Sequence, residues 1–314
     1  MKNTDAFTHS VMFHHFYDDA KHPRGQGAIS ESDFCKIIDY LSTKFSLISA
    51  SEYTSCFLKK TLRNDHICLS FDDALKCQLD IAIPILEKKN LNAFFFIYTS
   101  PITGDPDFLE IYRYFRTVNY SDIEAFYDDF FKMFELKHQL LHKKSKEMFD
   151  HNQYLADFPF YTINDKYFRY IRDNILDGHQ YHELMLSLFT EYSFDLKESI
   201  SNLWMSSEEI KGISEQGHVI GLHSHTHPTQ IHKLTKEEQL NEYQTNYQYL
   251  SNIINKDIIS MSHPCGNYND DTLNLLEKMG IKIGFRSNLG IKEINSPLEI
   301  PREDHANIMS QISL

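Results

Sequence analysis

The sequence predicts an α/β protein, a distorted (β/α) barrel of about seven parallel strands with a mainly helical, aromatic-rich insertion. Three observations predict it. Short apolar runs alternate with helical patterns over most of the 314 residues, several runs end in polar clusters, and one central stretch has no such runs. A chain of this length buries a core without staples, and 41% hydrophobic with 24% charged residues is an ordinary globular composition.

The strand candidates, in order, are residues 10–16, 66–71, 92–98, 218–223, 257–262 and 281–285. Between them lie helices whose ends are written in the sequence. Ser30 with Asp33 three residues on opens one that runs towards Phe45, and Ser206 with Glu209 opens another that stops at Gly217. Thr235 with Glu238 opens a third, and Asn269 and Asp270 a fourth that Gly280 ends. The alternation fails at about residues 104–203, where Phe126, Phe130 and Phe134 recur at helical spacing. These rings read as the core of a helical subdomain, with the alternative that some wall a substrate groove. Because the stretch follows the strand at 92–98, it leaves from the carboxyl end of a strand, where α/β folds put their active sites, and is placed to be a lid. Without an internal repeat or a Pro/Gly/Ser linker, residues 1–314 read as a single domain carrying this insertion.

Composition excludes some functions. With 31 Lys and Arg against 44 Asp and Glu the net charge is −13, so non-specific attraction to nucleic acid or anionic lipid is unfavourable. Five cysteines (Cys35, Cys56, Cys68, Cys77, Cys265) are an odd number without C-x-x-C spacing, which predicts reduced thiols rather than a disulfide framework or a thiolate zinc site. No segment approaches ~18 consecutive apolar residues. No apolar run follows Lys2 in the first ten residues, so a cytoplasmic location is expected.

Three polar clusters carry the chemistry. In Ser70-Phe71-Asp72-Asp73-Ala74, adjacent carboxylates follow an apolar run; at a strand-to-helix turn one can hold a metal while the other takes a proton, or the pair is an N-cap with a solvated neighbour. The stretch 217–228 holds His218, His223, His225 and His227. Imidazole is neither a good strand former nor cheaply buried, and it is the commonest nitrogen ligand of zinc-like metals. His223 and His227, four apart, converge if the chain turns helically after the strand, and Asp73 would complete a two-His, one-Asp set with positions left open for water and substrate. His218 and His225 fit such a set less well. The third cluster, residues 261–269, reads as a strand, a Pro264-Cys265-Gly266 turn and a helix start; such a turn can present a backbone N–H to an oxyanion, or be only a turn.

Ser-Phe-Asp-Asp-Ala resembles the Thr-Phe-Asp-Asp-Gly motif of the polysaccharide deacetylase family, metal-dependent carbohydrate esterases that remove acetyl groups from glycans. The stretch at 217–228 is similar to that family's His-Ser/Thr-x-x-His motif, and the likeness runs over residues 67–285 apart from the insertion. It implies that Asp72 is the general base and that Asp73, His223 and His227 bind the metal. Residues 262–266 resemble the third motif, Arg-x-Pro-Tyr-Gly, with Ser262 in place of the arginine that braces the base and Cys265 in place of the tyrosine. The oxyanion role there belongs to a backbone N–H, which Cys265 would supply. The family's acid histidine lies in a late Leu-x-x-His strand, and no such strand is expected after Phe285. Residues 11–18 instead resemble the N-terminal segment of a circularly permuted branch that includes bacterial exopolysaccharide deacetylases. That resemblance implies His14 as the acid, with His15 the alternative, since along a strand only one of the two faces the site. Arg302 and His305 resemble a C-terminal Pro-Arg segment of related sequences and are expected to line the site.

The function so implied is hydrolytic removal of an acetyl group from an N-acetylated sugar or glycan intermediate, with a divalent cofactor for which zinc is the first choice and cobalt, nickel or iron would bind the same ligands. The alternatives are a catalytically impaired glycan-binding module on this fold and a deacylase of a non-sugar amide or ester.

Overall fold

Short segments, most of them apolar, form seven parallel strands in one sheet among the described residues: β1 (Ser10–Phe13), β2 (Leu69–Asp72), β3 (Phe94–Ile97), β4 (Val219–Leu222), β5 (Ser260–Ser262), β6 (Ile283–Phe285) and β7 (Arg302–Asp304). This computed structural model describes residues 7–155 and 161–312. The strand order is β6-β5-β4-β3-β2-β1-β7. A parallel bridge from Phe285 to Ile300, with the Arg286 N–H donating to the Ile300 carbonyl at 2.8 Å, draws the two edges together, so the sheet is a nearly closed barrel.

The expected strands at 66–71 and 10–16 are trimmed. His66–Ile67 pairs with Ser46–Leu47 in a separate small ladder, and β1 ends at Phe13, where His14 leaves the sheet. One barrel strand has no counterpart among the expected runs: a strand without the Leu-x-x-His pattern follows Phe285. It is β7, which pairs with β1 from Ser10 opposite Arg302. Its residues, Arg302, Glu303 and Asp304, are all charged, so no apolar period marks it.

Side chains alternate across the sheet as the pleat requires. Phe94 and Phe96 pack with Ile283, Phe285 and Ile300 on one face, while Phe95 lies on the other, stacked on Phe71 at 4.8 Å. Gly221 of β4 has to be glycine, because a Cβ there would lie 2.5 Å from the Phe96 ring. All four expected helix starts are present. Ser30, Ser206, Thr235 and Asn269 each accept a backbone N–H three residues on and form reciprocal capping boxes.

The chain divides into two compact units, Met1–Asp107 with Ile200–Leu314, and Phe108–Ser199. The first contains the barrel. The second is helical, with Phe108–Asn119, Ile123–Lys137 and Gly178–Glu191 among its helices, and Phe126, Phe130 and Phe134 are fully buried in it. All three contribute to its core, and none has surface left to wall a groove. Among the described residues no helix is long and apolar enough to cross a membrane.

Candidate active site

Asp72 is the last residue of β2 and is 2% exposed. Burial by itself would raise its carboxyl, but the charge of Arg302 and the hydrogen bonds it donates hold it well below the usual carboxylate range. The contact is bidentate: Arg302 Nη1 and Nη2 donate to the two Asp72 oxygens at 2.7 Å each. Arg302 also donates from Nη2 to Ser262 Oγ at 2.7 Å, from Nη1 to Ser70 Oγ at 3.2 Å and from Nε to the Arg286 carbonyl at 2.6 Å. The arginine missing from the third motif is therefore supplied by β7, and Ser262, which stands in its place, holds the same guanidinium. The brace expected to be lost is present, delivered from a different strand.

Beyond Asp72 the chain turns through two left-handed residues, Asp73 (φ 78°) and Ala74 (φ 54°). This turn brings Asp73 Oδ1 to 3.5 Å from His223 Nε2 and 3.7 Å from His227 Nε2. One donor atom from each of the three residues lies within 4.8 Å of the others. The donor set fits a divalent ion. The His223 Nδ1–H donates to the Ser262 carbonyl at 2.9 Å, which leaves Nε2 as the lone-pair nitrogen facing Asp73, and burial pushes this imidazole down to about 3, so it is neutral.

The two imidazoles do not converge through a helical turn, as their spacing suggested. Ser224 (φ 63°) and His227 (φ 55°) are left-handed, and the His227 N–H donates to Ser224 Oγ at 3.1 Å. Glu242 shapes this loop by accepting from the His225 N–H, the Thr226 N–H and the Thr226 hydroxyl, and Asn246 accepts from the His223 N–H at 3.1 Å. Both come from the helix Lys236–Ile254, and sequence reasoning missed both. The other two histidines of the cluster have structural partners: His225 pairs with Thr99 Oγ1, and His218 Nδ1 accepts from the Ala93 N–H.

His14, just past β1, has Nε2 3.9 Å from Asp72 Oδ2 and a side chain 30% exposed. The His15 ring stacks on it at 6.4 Å. His305 is elsewhere: it is 6% exposed, its Nε2 bonds the Gly27 carbonyl and its ring stacks on Phe13. Arg302 thus lines the site, as expected, whereas these contacts tie His305 to the packing around β1. Cys265 sits at φ 50° in the Pro264–Gly266 turn, whose bonds run from the Gly266 and Asn267 N–H groups to the carbonyls of His263 and Pro264. Burial and the charges of Asp73, Asp107 and Asp72 push its thiol up to about 11, which keeps it neutral.

Residues 162–284 match the family described as polysaccharide deacetylase. No protein of curated function matches the sequence. Among solved structures, the chain is similar to the deacetylase PplD of Streptococcus pyogenes in complex with acetate, at 14% identity over 98% of each chain with a TM-score of 0.57. IcaB from Ammonifex degensii gives 12% identity over 98% of each chain and a TM-score of 0.56. The BpsB deacetylase domain from Bordetella bronchiseptica gives 14% identity over 97% of this chain and 98% of that one, with a TM-score of 0.53. At these identities the structural likeness is one of fold.

Proposed function

We propose that this chain is a member of the polysaccharide deacetylase family, whose model matches residues 162–284, and that it is a metal-dependent hydrolase removing an acetyl group from an N-acetylated sugar or glycan. One observation carries this reading: the donor atoms of Asp73, His223 and His227 gather within 4.8 Å, beside a second carboxylate, Asp72, that Arg302 holds ionised. Two imidazoles and one carboxylate would hold zinc with coordination positions to spare, and cobalt, nickel or iron(II) would take the same ligands. When bound, such an ion supplies a water of lowered pKa and a Lewis acid for the acetyl carbonyl.

The chain's own residues divide the remaining work. Asp72, ionised and fixed by Arg302, accepts the proton of the attacking water. His14, on the accessible side of Asp72, donates a proton to the departing nitrogen, because amide cleavage without that proton would expel a poor leaving group. The Cys265 N–H offers a donor to the oxyanion that develops on the carbonyl oxygen. A catalytically impaired module had the missing third-motif arginine in its favour, and the Arg302 contact takes that support away.

Asp72→Asn tests the assignment. Acetate release from N-acetylglucosamine oligomers should fall by a factor of about 10²–10⁴ while bound metal stays stoichiometric, measured by elemental analysis. Chelation should abolish turnover and zinc or cobalt restore it. Full activity of the variant would remove Asp72 from the mechanism, and an enzyme indifferent to chelators would remove the metal.

A further inference from the structure

One short stretch, Trp204–Met205, bonds the backbone just after Asp73 and, through Tyr98, bears on His227. Trp204 forms an antiparallel bridge with Leu75, and the Met205 N–H donates to the Ala74 carbonyl at 2.9 Å. These contacts pin the chain immediately after Asp73, where Asp73 and Ala74 both hold left-handed backbone. Such conformations are unfavourable for residues with a Cβ and persist where surrounding contacts over-determine them. The same stretch bears on His227 through Tyr98. The Trp204 indole N–H donates to the Tyr98 hydroxyl at 2.8 Å, and the Tyr98 ring lies 5.1 Å from the His227 imidazole at an interplanar angle of 33°. Tyr98 is 1% exposed and Trp204 5%, so water cannot readily replace either partner of that bond. Indole is a donor only, and Tyr98 is the acceptor it has found.

We propose that Trp204 and Tyr98 are positioning residues of the metal centre: Trp204 fixes the Tyr98 ring, and Tyr98 fixes the plane in which His227 presents Nε2. The inference rests on the reading of Asp73, His223 and His227 as metal ligands. Its weight comes from the common origin of the two supports, because the stretch that holds the Asp73 turn through its backbone also holds His227 through its side chain.

The test uses the full chain stripped of metal and titrated with zinc against a chromophoric chelator, in wild type, Tyr98→Phe, Trp204→Phe and the double variant, with cobalt(II) absorption spectra alongside. Each single variant should bind zinc about tenfold more weakly than wild type and change the cobalt spectrum, since supports of this kind typically change affinity by that order. The double variant should bind within about threefold of the weaker single variant, because both substitutions break one bond. Unchanged zinc affinity and cobalt spectrum in both single variants would overturn the proposal, and so would losses that multiply in the double variant. Should Trp204→Phe fail to fold, Tyr98→Phe, which removes a single oxygen, decides the question. A wild-type chain that takes up neither ion would overturn the metal centre itself and this inference with it, whereas uptake by wild type with indifferent variants overturns the inference alone.

Discussion

Arg302 is fully buried, and every one of its five N–H donors has an acceptor: both Asp72 oxygens, the hydroxyls of Ser70 and Ser262, and the Arg286 carbonyl. A guanidinium held on all sides acts as a fixed charge beside Asp72, so the carboxylate proposed as the base is kept ionised and oriented. Lysine, with three donors on a point charge, cannot reproduce the fork. Arg302→Met would leave the Asp72 carboxylate buried and uncompensated, and should lower stability by about 3–5 kcal/mol, as breaking a buried pair does. Urea unfolding of the variant measures this, with loss of acetate release as the companion readout.

The strands end where the chemistry begins, and the turns that follow them carry the strain. Asp73, Ala74, Ser224, His227 and Cys265 all have positive φ without being glycine, and all lie in loops that leave the carboxyl ends of β2, β4 and β5. Side chains thereby face a common centre, which extended strands alone would send to opposite faces. The Pro264–Gly266 turn offers a check at this scale. Its proposed contribution is a main-chain N–H, so Cys265→Ala, which keeps the backbone and removes the thiol, should retain turnover to within about threefold. A loss of a hundredfold in steady-state acetate release would shift the role to the sulfur.

Across the whole barrel, two histidines tie sheet and loops together in the neutral state. Burial pushes His218 and His263 down to about 4 from 6.5. His218 Nδ1 accepts the Ala93 N–H at 3.1 Å, and His263 Nε2 donates to the Leu298 carbonyl at 2.9 Å. In the unfolded chain each would take a proton near 6.5, while the folded protein resists until about 4. The unfolded state therefore binds more protons across that window, and stability falls as pH falls through it. Denaturation at about pH 5 should show stability lower than at about pH 7 by roughly 2 kcal/mol for each histidine. His218→Gln, which preserves an acceptor for Ala93, should remove the roughly 2 kcal/mol that His218 contributes to that drop, and an unaltered pH dependence would exclude His218 as a source of it.

Much of this molecule was legible locally. The four helix starts follow from side chains bonding backbone three residues away, and most barrel strands from apolar runs, interactions contained within a few residues of sequence. The residues Asp72, Asp73, His223 and His227 were legible for a related reason: polar side chains at the ends of apolar strands are costly unless they have partners. Three things were decided only by tertiary structure. The charged strand β7 exists because β1 offers it an edge, Arg302 meets Asp72 across 230 residues of chain, and Asn246 and Glu242 shape the histidine loop from a helix downstream. None of these leaves a periodic trace, because a hydrogen bond between distant residues depends on where folding brings two atoms, and only the closing of the barrel brings them there.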